Sequence, residues 1–395
     1  MKIGFFSNHF ILHQEEVALK LYEFTNGKYN FVACEPLPET RSDSGYIDMN
    51  KKYDFIVRPY ESKEQQIKAE EIAKECDIMI IGSAPEYYVD LRRNYDKNKI
   101  IIRYSERLFK RGRYRIIYHK LFKKNKEWFN LTKKNSYKND NTYLLCSSAY
   151  TSYDVKAFGF DEEKCFKWGY FPKSNDYNID KLLEKKQNKK LKLLWCGRFL
   201  DWKHPEKAII VAEALKKNRI NFELTMIGNG VYFEKIEKLI LKKKLKDCVF
   251  LIGSVPSYKV FDYMEKSDIF LFTSDFKEGW GAVLNEAMSC GCAVVASHAI
   301  GSVPYLIEDG KNGLIYKNNS NEDLINKVLL LCNNSKLRNE LGKNACHTLK
   351  NVWNAKNSTQ RLYSICMKLL FSENYKMYEN GPCSYAGIIK NDWYK

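Results

Sequence analysis

Short apolar runs alternate with longer amphipathic segments along most of the chain. The runs are strand-sized, as in IMII at 78–81, and none approaches the length of about eighteen residues needed to cross a membrane. In the first half, strands are predicted at 2–6, 29–34, 54–58, 77–82, 99–104 and 142–147, with helices at 13–25 and 64–76. In the second half, strands are predicted at 191–196, 222–227, 248–252, 268–272, 292–296 and 314–316, and helices at 205–217, 231–244, 257–266, 282–289, 321–333 and 335–349.

Strands that alternate with helices indicate parallel sheets covered on both faces, the doubly wound α/β architecture. A chain of 395 residues is too long for one ordinary core, so two such domains are expected. The charged stretch between the two series, poor in core residues, is typical of a linker. The predicted organisation is a domain at 1–172, a linker at 173–190, a domain at 191–352, and a terminal helix and tail at 353–395 that packs back towards the first domain.

Composition narrows the class of protein. A hydrophobic fraction of 45% excludes a largely disordered chain, and the opening MKIGFFSNHF lacks the features of a signal peptide, which predicts a cytoplasmic protein. The twelve cysteines are scattered, and some, such as Cys34, Cys146 and Cys196, lie in predicted strands. Cys290 and Cys292 have neither a second pair nor a histidine couple nearby. Buried reduced thiols are therefore expected, with no metal site and no cofactor.

The net charge of +17 is concentrated in one segment. Residues 107–138 hold twelve lysines and arginines against one acid, Glu127, and they include several aromatic residues. This mixture favours peripheral attachment to the anionic inner face of the plasma membrane. A solvated lysine-rich face is the alternative. Nucleic-acid binding is a weaker third option, because the sequence contains no recognisable nucleic-acid module.

The strongest chemical signal is the segment EGWGAVLNE, in which Glu278 and Glu286 flank a glycine-rich turn that opens a predicted helix. Gly279 and Gly281 permit a close approach of the backbone to an anion. A carboxylate at Glu286 can accept hydrogen bonds from both ribose hydroxyls of a nucleotide. The alternative is a solvated helix with two surface acids, but the apolar residues around Glu286 leave little exposed face for it.

A second signal, GRFLDWK, follows the predicted strand LKLLWC directly and places Gly197, Arg198 and Lys203 in a strand-to-helix loop. Two cations match the charge of a diphosphate and can stabilise a leaving nucleotide without a metal ion. This spacing alone is a weak signal, because basic surface residues are common. In the same domain as the two glutamates it becomes a strong one.

Residues of about 191–317 resemble glycosyltransferase family 4, the "group 1" family of retaining GT-B enzymes. The resemblance is carried by GRFLDWKHPEKAI, MIGNG, FLIGSV, FTSDFKEGWGAVLNEAMSCGCAVVAS and IGSVPYLIEDGKNGLIY. It implies two Rossmann-like domains that face an interdomain cleft. It also implies metal-independent transfer of a sugar, with retention, from a nucleotide diphosphate-sugar, with a UDP-sugar favoured.

The resemblance also implies roles for individual residues. Arg198 and Lys203 match the basic pair that holds the donor diphosphate, and Glu278 and Glu286 match the E-x7-E motif, with Glu286 as the ribose ligand. The remaining implied donor contacts are backbone amides near Gly279, Trp280 and Gly281 for the sugar, Val283 and Leu284 for the phosphate, Gly253, Ser254 and Val255 for the base, and the Gly228 turn of MIGNG, for which a purely structural role is equally open.

The first half resembles a subgroup from bacterial surface-polysaccharide gene clusters, through SNHFILHQEEVALKLYEF, IRYSERLFKRG and KWGYFP. The glycine pair common in the family after the first strand is absent. Family members often place a histidine near the anomeric carbon, and the candidates here are His13 and Glu106, with Asn8 and His9 as secondary ones. Helix capping or a solvated loop position is the alternative for each.

The sequence therefore predicts a hexosyltransferase-type enzyme that transfers a sugar to a glycan or lipid-linked acceptor. Front-face chemistry, in which the departing phosphate helps to take the acceptor proton, is implied by the family and needs no strong base. The alternatives are a non-catalytic nucleotide-sugar-binding partner of a transferase and another GT-B enzyme, such as a nucleotide-sugar epimerase or a sugar phosphorylase. An oxidoreductase is excluded because neither first-strand loop carries G-x-G-x-x-G.

Overall fold

The computed structural model describes residues 1–38, 48–110, 141–173, 177–186, 190–371 and 377–395. The chain divides into two compact units. The first comprises Met1–Lys173 and Trp353–Lys390, and the second comprises Ser174–Val352 and Asn391–Lys395. Each unit contains one sheet of parallel strands.

The described part of the first unit contains seven parallel strands: β1 Ile3–Ser7, β2 Tyr29–Ala33, β3 Ile56–Val57, β4 Ile78–Ile81, β5 Ile100–Ser105, β6 Thr142–Cys146 and β7 Cys165–Lys167. They pair in the order β3-β2-β1-β4-β5-β6-β7. Its helices are α1 Leu12–Phe24, α2 Lys63–Glu75, α3 Tyr87–Tyr95, α4 Thr151–Lys156 and, from the far end of the chain, Ala355–Phe371. The strands β1 (IGFFS) and β4 (IMII) are buried throughout, which agrees with their largely apolar sequences.

The strand β7 lies at an edge of the first sheet, and the C-terminal segment covers it. The backbone N–H of Lys167 donates to the carbonyl of Ser384 at 2.7 Å, and the N–H of Ala386 donates to Cys165 at 2.8 Å. Phe166 and Tyr385 form an antiparallel bridge. Pairing of this kind satisfies backbone groups that an edge strand would otherwise expose.

The second unit contains six parallel strands among its described residues: β8 Leu191–Cys196, β9 Phe222–Ile227, β10 Val249–Gly253, β11 Ile269–Phe272, β12 Ala293–Ser297 and β13 Leu314–Tyr316. They pair in the order β10-β9-β8-β11-β12-β13. Its helices are α5 Ile179–Lys185, α6 Pro205–Lys217, α7 Phe233–Lys242, α8 Ser257–Met264, α9 Val283–Ser289, α10 Val303–Leu306, α11 Asn321–Asn333 and α12 Ser335–Asn351. The helix Ala355–Phe371 of the first unit is α13.

Local sequence explains where several of these helices begin. The side chains of Ser320 and Asn334 accept hydrogen bonds from backbone N–H groups at the first turns of α11 and α12. Pro205 is the first residue of α6. A backbone N–H at this position would have no intrahelical acceptor, so proline, which lacks the N–H, costs no hydrogen bond there. The core of the unit then forms between α6 and the sheet, with Leu193, Leu224 and other apolar side chains fully buried.

Two of the predicted domain boundaries differ in the structure. Within the predicted linker 173–190 lies the helix α5, which belongs to the second unit, because Ile179 and Leu182 pack against Cys346. The tail assignment 353–395 was too broad, since residues 391–395 belong to the second unit. There the hydroxyl of Tyr394 donates to the carbonyl of Ile315 at 2.7 Å.

The twelve cysteines are all free thiols, and nine of them are buried. Most of the basic segment 107–138 lies outside the described residues, which include only 107–110 of it. Arg107 and Lys110, the basic residues in that part, are paired internally with Asp154 and Glu106. No helix in the described parts of the chain is both long and apolar enough to span a bilayer.

Candidate active site

Four loops of the second unit follow neighbouring strands at one edge of its sheet. The loop after β8 runs from Gly197 to Lys203, and the loops after β9 and β10 begin at Gly228 and Ser254. The loop after β11 leads to Glu278. Because β10, β9, β8 and β11 are adjacent and parallel, their carboxyl ends lie side by side, where doubly wound sheets bind ligands.

The glycines after β9 allow two of these loops to touch. A Cβ atom on Gly228 would overlap the carbonyl oxygen of Gly197, and one on Gly230 would lie 2.7 Å from the carbonyl oxygen of Phe199. Both glycines have positive φ angles, +127° and +151°, which other residues rarely adopt. The N–H of Phe199 also donates to Asn229 at 2.9 Å. These glycines therefore hold the β9 loop against the β8 loop, and a donor contact at Gly228 stays a prediction.

Lys203 and Glu278 form an ion pair across the loops after β8 and β11. Their side chains are 13% and 9% exposed, so the pair is largely shielded from water. The hydroxyl of Ser274 donates to the same carboxylate at 2.9 Å, and the ammonium group of Lys203 lies 4.5 Å from the ring centre of Trp202. The two residues predicted to serve one site are thus in direct contact.

Arg198 is exposed, and its guanidinium makes no hydrogen bond or ion pair within the residues that the structure describes. It occupies the same loop as Lys203, directly after Gly197. An exposed arginine in the same loop as a partly shielded lysine provides the cationic surface that a diphosphate requires.

Glu286 lies in the first turn of α9 and is partly buried. Its carboxylate has no hydrogen-bond partner among the described residues, and burial raises its pKa to about 7. Such a group is destabilised in its charged form and gains from any hydroxyl that donates to it. The arrangement agrees with the predicted role of accepting hydrogen bonds from a sugar hydroxyl.

The turn between Glu278 and Glu286 is built from buried groups. The indole of Trp280 is fully buried and donates to the side chain of Asn285 at 2.9 Å, so only the backbone of Trp280 could contact a donor. Gly281 has a φ of +83°, and a Cβ there would overlap the ring of Phe272. The backbone of this turn therefore requires Gly281, and the buried side chain of Trp280 fixes its position.

The backbone donors predicted for the donor sugar and phosphate are not equivalent. The N–H of Leu284 is already bonded to the carbonyl of Gly281 at 3.0 Å. The N–H groups of Gly279 and Gly281 donate no hydrogen bond within the described ranges, and α9, which begins at Val283, has no side-chain cap. The glycine amides are thus better placed than Leu284 to bind an anion.

The loop after β10, predicted to hold a base, is open. A Cβ atom added to Gly253 would meet nothing within 4 Å, although its φ is +76°. Ser254 is exposed and Val255 is partly exposed. The carbonyl of Gly253 accepts a hydrogen bond from Gly228 at 2.8 Å, which ties this loop to the β9 turn.

The sequence did not indicate a polar network beside the ion pair. His204, with a φ of +49°, directly follows Lys203 and lies 2.9 Å from the carboxylate of Glu206 and 3.5 Å from that of Asp275. The hydroxyl of Thr273 donates to the carbonyl of Lys203 at 2.7 Å. A histidine beside a binding-loop lysine was the one available signal, and its partner Asp275 is distant in sequence.

The first unit contains the two other predicted catalytic residues, His13 and Glu106, and a tyrosine connects them. The ring of Tyr170 stacks on His13 with centroids 5.7 Å apart, and its hydroxyl donates to Glu106 at 2.7 Å. Lys110 pairs with the other oxygen of Glu106 at 2.6 Å. Tyr170, which the sequence did not single out, lies in KWGYFP after β7.

His13 is neutral in this setting. Burial lowers its pKa to about 4, and its Nδ1 atom is buried without a hydrogen-bond partner in the described parts of the chain. Because Nδ1 is shielded, a ligand could reach this neutral imidazole only at Nε2. The secondary candidates are engaged locally, since Asn8 accepts from the N–H of His9 at 2.9 Å and His9 is buried against the carbonyl of Glu35.

The described residues contain no group of three or more His, Cys, Asp or Glu side chains arranged to hold a metal ion. The positive charge at the site comes from Arg198, Lys203 and His204 of the chain itself. The site can therefore bind a polyanion through side chains and backbone amides.

Comparison with solved structures identifies the class of fold. The Anabaena protein HepE, crystallised in complex with UDP, matches with a TM-score of 0.65 at 15% sequence identity, over 93% of this chain and 100% of that one. The two parallel-sheet units thus have the α/β fold of the GT-B glycosyltransferases, as the sequence predicted. A similarity at this level of identity concerns the fold alone.

Sequence comparison then names the domain. Residues 178–348 match the family model described as Glycosyl transferases group 1, so this part of the chain is a group 1 glycosyltransferase domain. An uncharacterized glycosyltransferase of Methanocaldococcus jannaschii is 32% identical over 48% of this chain and 48% of its own length. The amylovoran biosynthesis glycosyltransferase AmsK of Erwinia amylovora is 34% identical over 31% of each chain. The chain thus matches half or less of the length of these relatives.

Proposed function

We propose that the protein is a retaining glycosyltransferase of the family 4 type that transfers a hexose or related sugar from a nucleotide diphosphate-sugar. The acceptor is a glycan or a lipid-linked sugar, and the donor is a UDP-sugar. Relatives named as glycosyltransferases, and a structural neighbour in complex with UDP, support this proposal. The relative named for amylovoran biosynthesis supports a role in polysaccharide synthesis.

One observation carries the proposal most directly. At the carboxyl ends of β8 and β11 lie Arg198 and the shielded pair Lys203–Glu278, and Glu286 follows in the first turn of α9. Among the described residues, neither the guanidinium of Arg198 nor the partly buried carboxylate of Glu286 has a partner. The cations can bind a diphosphate, and the carboxylate can accept hydrogen bonds from vicinal hydroxyls. A nucleoside diphosphate carries both groups, the diphosphate and the ribose hydroxyls. The cations can also stabilise the charge on the leaving diphosphate, so the reaction proceeds without a metal ion.

The first unit supplies the acceptor side of the proposal. The imidazole of His13 is neutral, and Tyr170 stacks on it while its hydroxyl donates to Glu106. Because the departing phosphate can help to take the acceptor proton, these groups need only orient a hydroxyl and accept a hydrogen bond from it. We therefore place acceptor binding, and not donor binding, at His13 and Glu106.

Attachment to an anionic membrane surface through residues 107–138 is part of the same proposal. Arg107 is buried against Asp154 and does not contribute, and the segment from 111 onwards lies outside the described residues. Co-sedimentation with vesicles tests it. We expect binding to vesicles that contain phosphatidylserine and no binding to vesicles of phosphatidylcholine alone. Equal binding to both kinds of vesicle, or binding to neither, would contradict membrane attachment.

The decisive experiment combines binding and turnover with the purified full chain. Titration calorimetry with UDP, GDP and ADP, with and without EDTA, identifies the nucleotide, and chromatography of the matching sugar conjugates with an acceptor panel measures transfer. The Arg198→Ala protein is expected to bind the diphosphate about tenfold more weakly, as for the loss of a charge-assisted hydrogen bond. Lys238→Ala, at an exposed position of α7, is the control of equal charge change.

The outcomes separate the alternatives. Turnover with retention, read from the anomeric proton of the product by NMR, supports the proposal. Nucleotide binding without turnover of any conjugate would indicate a non-catalytic binding partner, and interconversion of the sugar without an acceptor would indicate an epimerase. A loss of affinity that is equal in the Arg198 and Lys238 variants would exclude a specific role for Arg198.

A further inference from the structure

His204 occupies a backbone position that favours glycine or asparagine. Its φ of +49° and ψ of 54° place it in the left-handed region, directly after Lys203 and at the start of α6. A side chain with a Cβ atom adopts this conformation at an energetic cost. A residue held there signals that its side chain makes interactions that compensate for the strain.

Both nitrogens of the His204 ring face carboxylates. Nδ1 lies 2.9 Å from an oxygen of Glu206 on α6, and Nε2 lies 3.5 Å from an oxygen of Asp275 in the loop after β11. An imidazole can donate from both nitrogens only when it is protonated. The geometry is therefore that of an imidazolium that bridges two elements.

Asp275 connects this bridge to Glu278. Its backbone N–H donates to the carbonyl of Trp202 at 2.9 Å, and its carbonyl accepts the N–H of Glu278 at 3.0 Å. Lys203, the neighbour of His204, in turn forms the ion pair with Glu278. The contacts close a ring from His204 through Asp275, Glu278 and Lys203 back to His204.

The charges around the ring favour its protonated state. Hydrogen bonding to Asp275 and Glu206 raises the pKa of His204 to about 9, against an opposing effect of burial and of Lys207. Lys207 is buried on α6, and burial lowers its own pKa. The other charged groups nearby, Asp201 and Lys277, are paired with each other at 3.0 Å.

We propose that His204 is a positioning residue of the donor site, whose imidazolium holds the loop of Lys203 against the loop of Glu278. This inference rests on the proposed function, because it assumes that the two loops bind a nucleoside diphosphate together. His204 itself need not touch the ligand. When the ring loses its proton, one carboxylate loses its donor, and the Lys203–Glu278 pair and the backbone bond from Asp275 to Trp202 are left to hold the two loops together.

The test measures the dissociation constant of UDP, or of whichever of GDP and ADP the wild type prefers, by calorimetry from pH 6 to pH 10. His204→Asn tolerates the left-handed backbone and removes the charge, whereas His204→Arg keeps a permanent cation. His347→Asn, at an exposed position of α12, is the matched control. Circular dichroism at each pH verifies that every protein is folded.

At pH 7 the His204→Asn protein is expected to bind about five- to tenfold more weakly than wild type, within the range of a lost charge-assisted contact. The difference should shrink as the pH rises through about 9, the pKa of the ring. His204→Arg should recover the affinity at pH 7 and lose less of it at high pH, while His347→Asn follows the wild type.

Two results overturn the inference. One is an His204→Asn protein with wild-type affinity at every pH, and the other is a variant that melts earlier but binds normally when folded, which indicates a structural role only. A wild-type protein that binds none of the diphosphates contradicts the proposed function instead. The two failures are thus distinguishable.

Discussion

Lys203 and Glu278 are 75 positions apart in the chain, and the ammonium group of the one contacts the carboxylate of the other. Both had been assigned to the donor site from sequence, but as separate ligands. The structure adds that each is the charge partner of the other. A diphosphate that approaches Lys203 therefore competes with Glu278 for the same cation.

Breaking this pair from either side leaves a charge largely shielded from water. Lys203→Ala and Glu278→Ala are each expected to lower the free energy of unfolding by about 3 kcal/mol, since an uncompensated buried charge is costly. The double variant should lose clearly less than the sum of the two. Urea unfolding of the four proteins measures this coupling.

The surface pair Lys311–Glu308, with side chains 69% and 66% exposed, is the matched control. Its coupling should be close to zero, because water and salt screen it. Additive effects at Lys203 and Glu278, like those at the control pair, would show that the ion pair contributes nothing to stability.

Glu286→Gln should stabilise the protein and weaken donor binding. The pKa of Glu286 is raised to about 7, above that of an unfolded chain near 4.5, so the carboxylate costs stability as the pH rises from 4.5 through 7. Removing the charge should raise the free energy of unfolding by on the order of 1 kcal/mol at pH 8, after discounting for partial exposure, and by almost nothing at pH 4.5.

Thermal unfolding at the two pH values, with and without UDP, measures both effects of Glu286→Gln. Glu237→Gln, on the exposed face of α7, controls for the loss of a carboxylate. An unchanged affinity for UDP in Glu286→Gln would remove the ribose role, and equal stabilisation at both pH values would contradict the raised pKa.

Gly228→Ala is expected to disrupt the site by sterics alone. The added methyl group would overlap the carbonyl of Gly197 at a φ of +127°, so the β8 and β9 loops must separate. A loss of about 3 kcal/mol or more in the free energy of unfolding is expected, as for other strained core substitutions.

Gly253→Ala is the comparison for Gly228→Ala, because its added methyl group meets nothing within 4 Å and its φ of +76° is the common left-handed one. It should cost only about 1 kcal/mol. Equal destabilisation by both substitutions, measured by chemical unfolding, would mean that backbone conformation and not the loop contact makes Gly228 necessary.

In the first unit, Tyr170→Phe separates the ring contacts of one side chain from the hydrogen bonds of its hydroxyl, which reach Glu106 and Tyr104. The ring that stacks on His13 remains, and the hydrogen bonds of the hydroxyl are lost. We expect a transfer rate lowered by about fivefold to tenfold at unchanged affinity for the nucleotide, since the positioning hydrogen bond to Glu106 is removed. Steady-state kinetics, with the acceptor and the donor concentrations varied separately, measure the transfer rate and the dependence on each substrate.

The control for Tyr170→Phe is Tyr22→Phe, at a tyrosine that is 42% exposed on α1. It should match the wild type in both substrates. If Tyr170→Phe altered the affinity for nucleotide more than the acceptor dependence, the assignment of His13 and Glu106 to the acceptor would be wrong.

The periodicity of the sequence predicted the sheets well, because parallel strands buried on both faces have sequences of almost unbroken apolar residues. Every strand predicted in the second half, such as 222–227 and 292–296, lies within a residue or two of an observed one. The strand β7 was missed, since three residues, CFK, are too few to show a period. It pairs with β6 on one side and with residues 384 and 386 on the other, and no local pattern reveals these partners.

The candidate site was predictable only as far as it is local in sequence. The E-x7-E spacing and the R-x4-K spacing each lie within one short stretch of sequence, so their residues could be named in advance. The contacts that organise them, such as His204 with Asp275 and Tyr170 with Glu106, join residues more than sixty positions apart. Such pairs depend on strand order, which sequence periodicity does not specify.

The pairing of the C-terminal segment with β7 affects the order in which the chain can fold during synthesis. The hydroxyl of Ser152 donates to the carbonyl of Gly387, 235 positions later, and the backbone N–H of Lys167 donates to the carbonyl of Ser384. Most of the second unit, by contrast, comes from one continuous stretch, Ser174–Val352. A ribosome that synthesises the chain from its N-terminus therefore releases the main body of the second unit before the first can close its sheet edge. Until then the first unit leaves its edge strand uncovered, a state in which protection by a chaperone has its greatest effect.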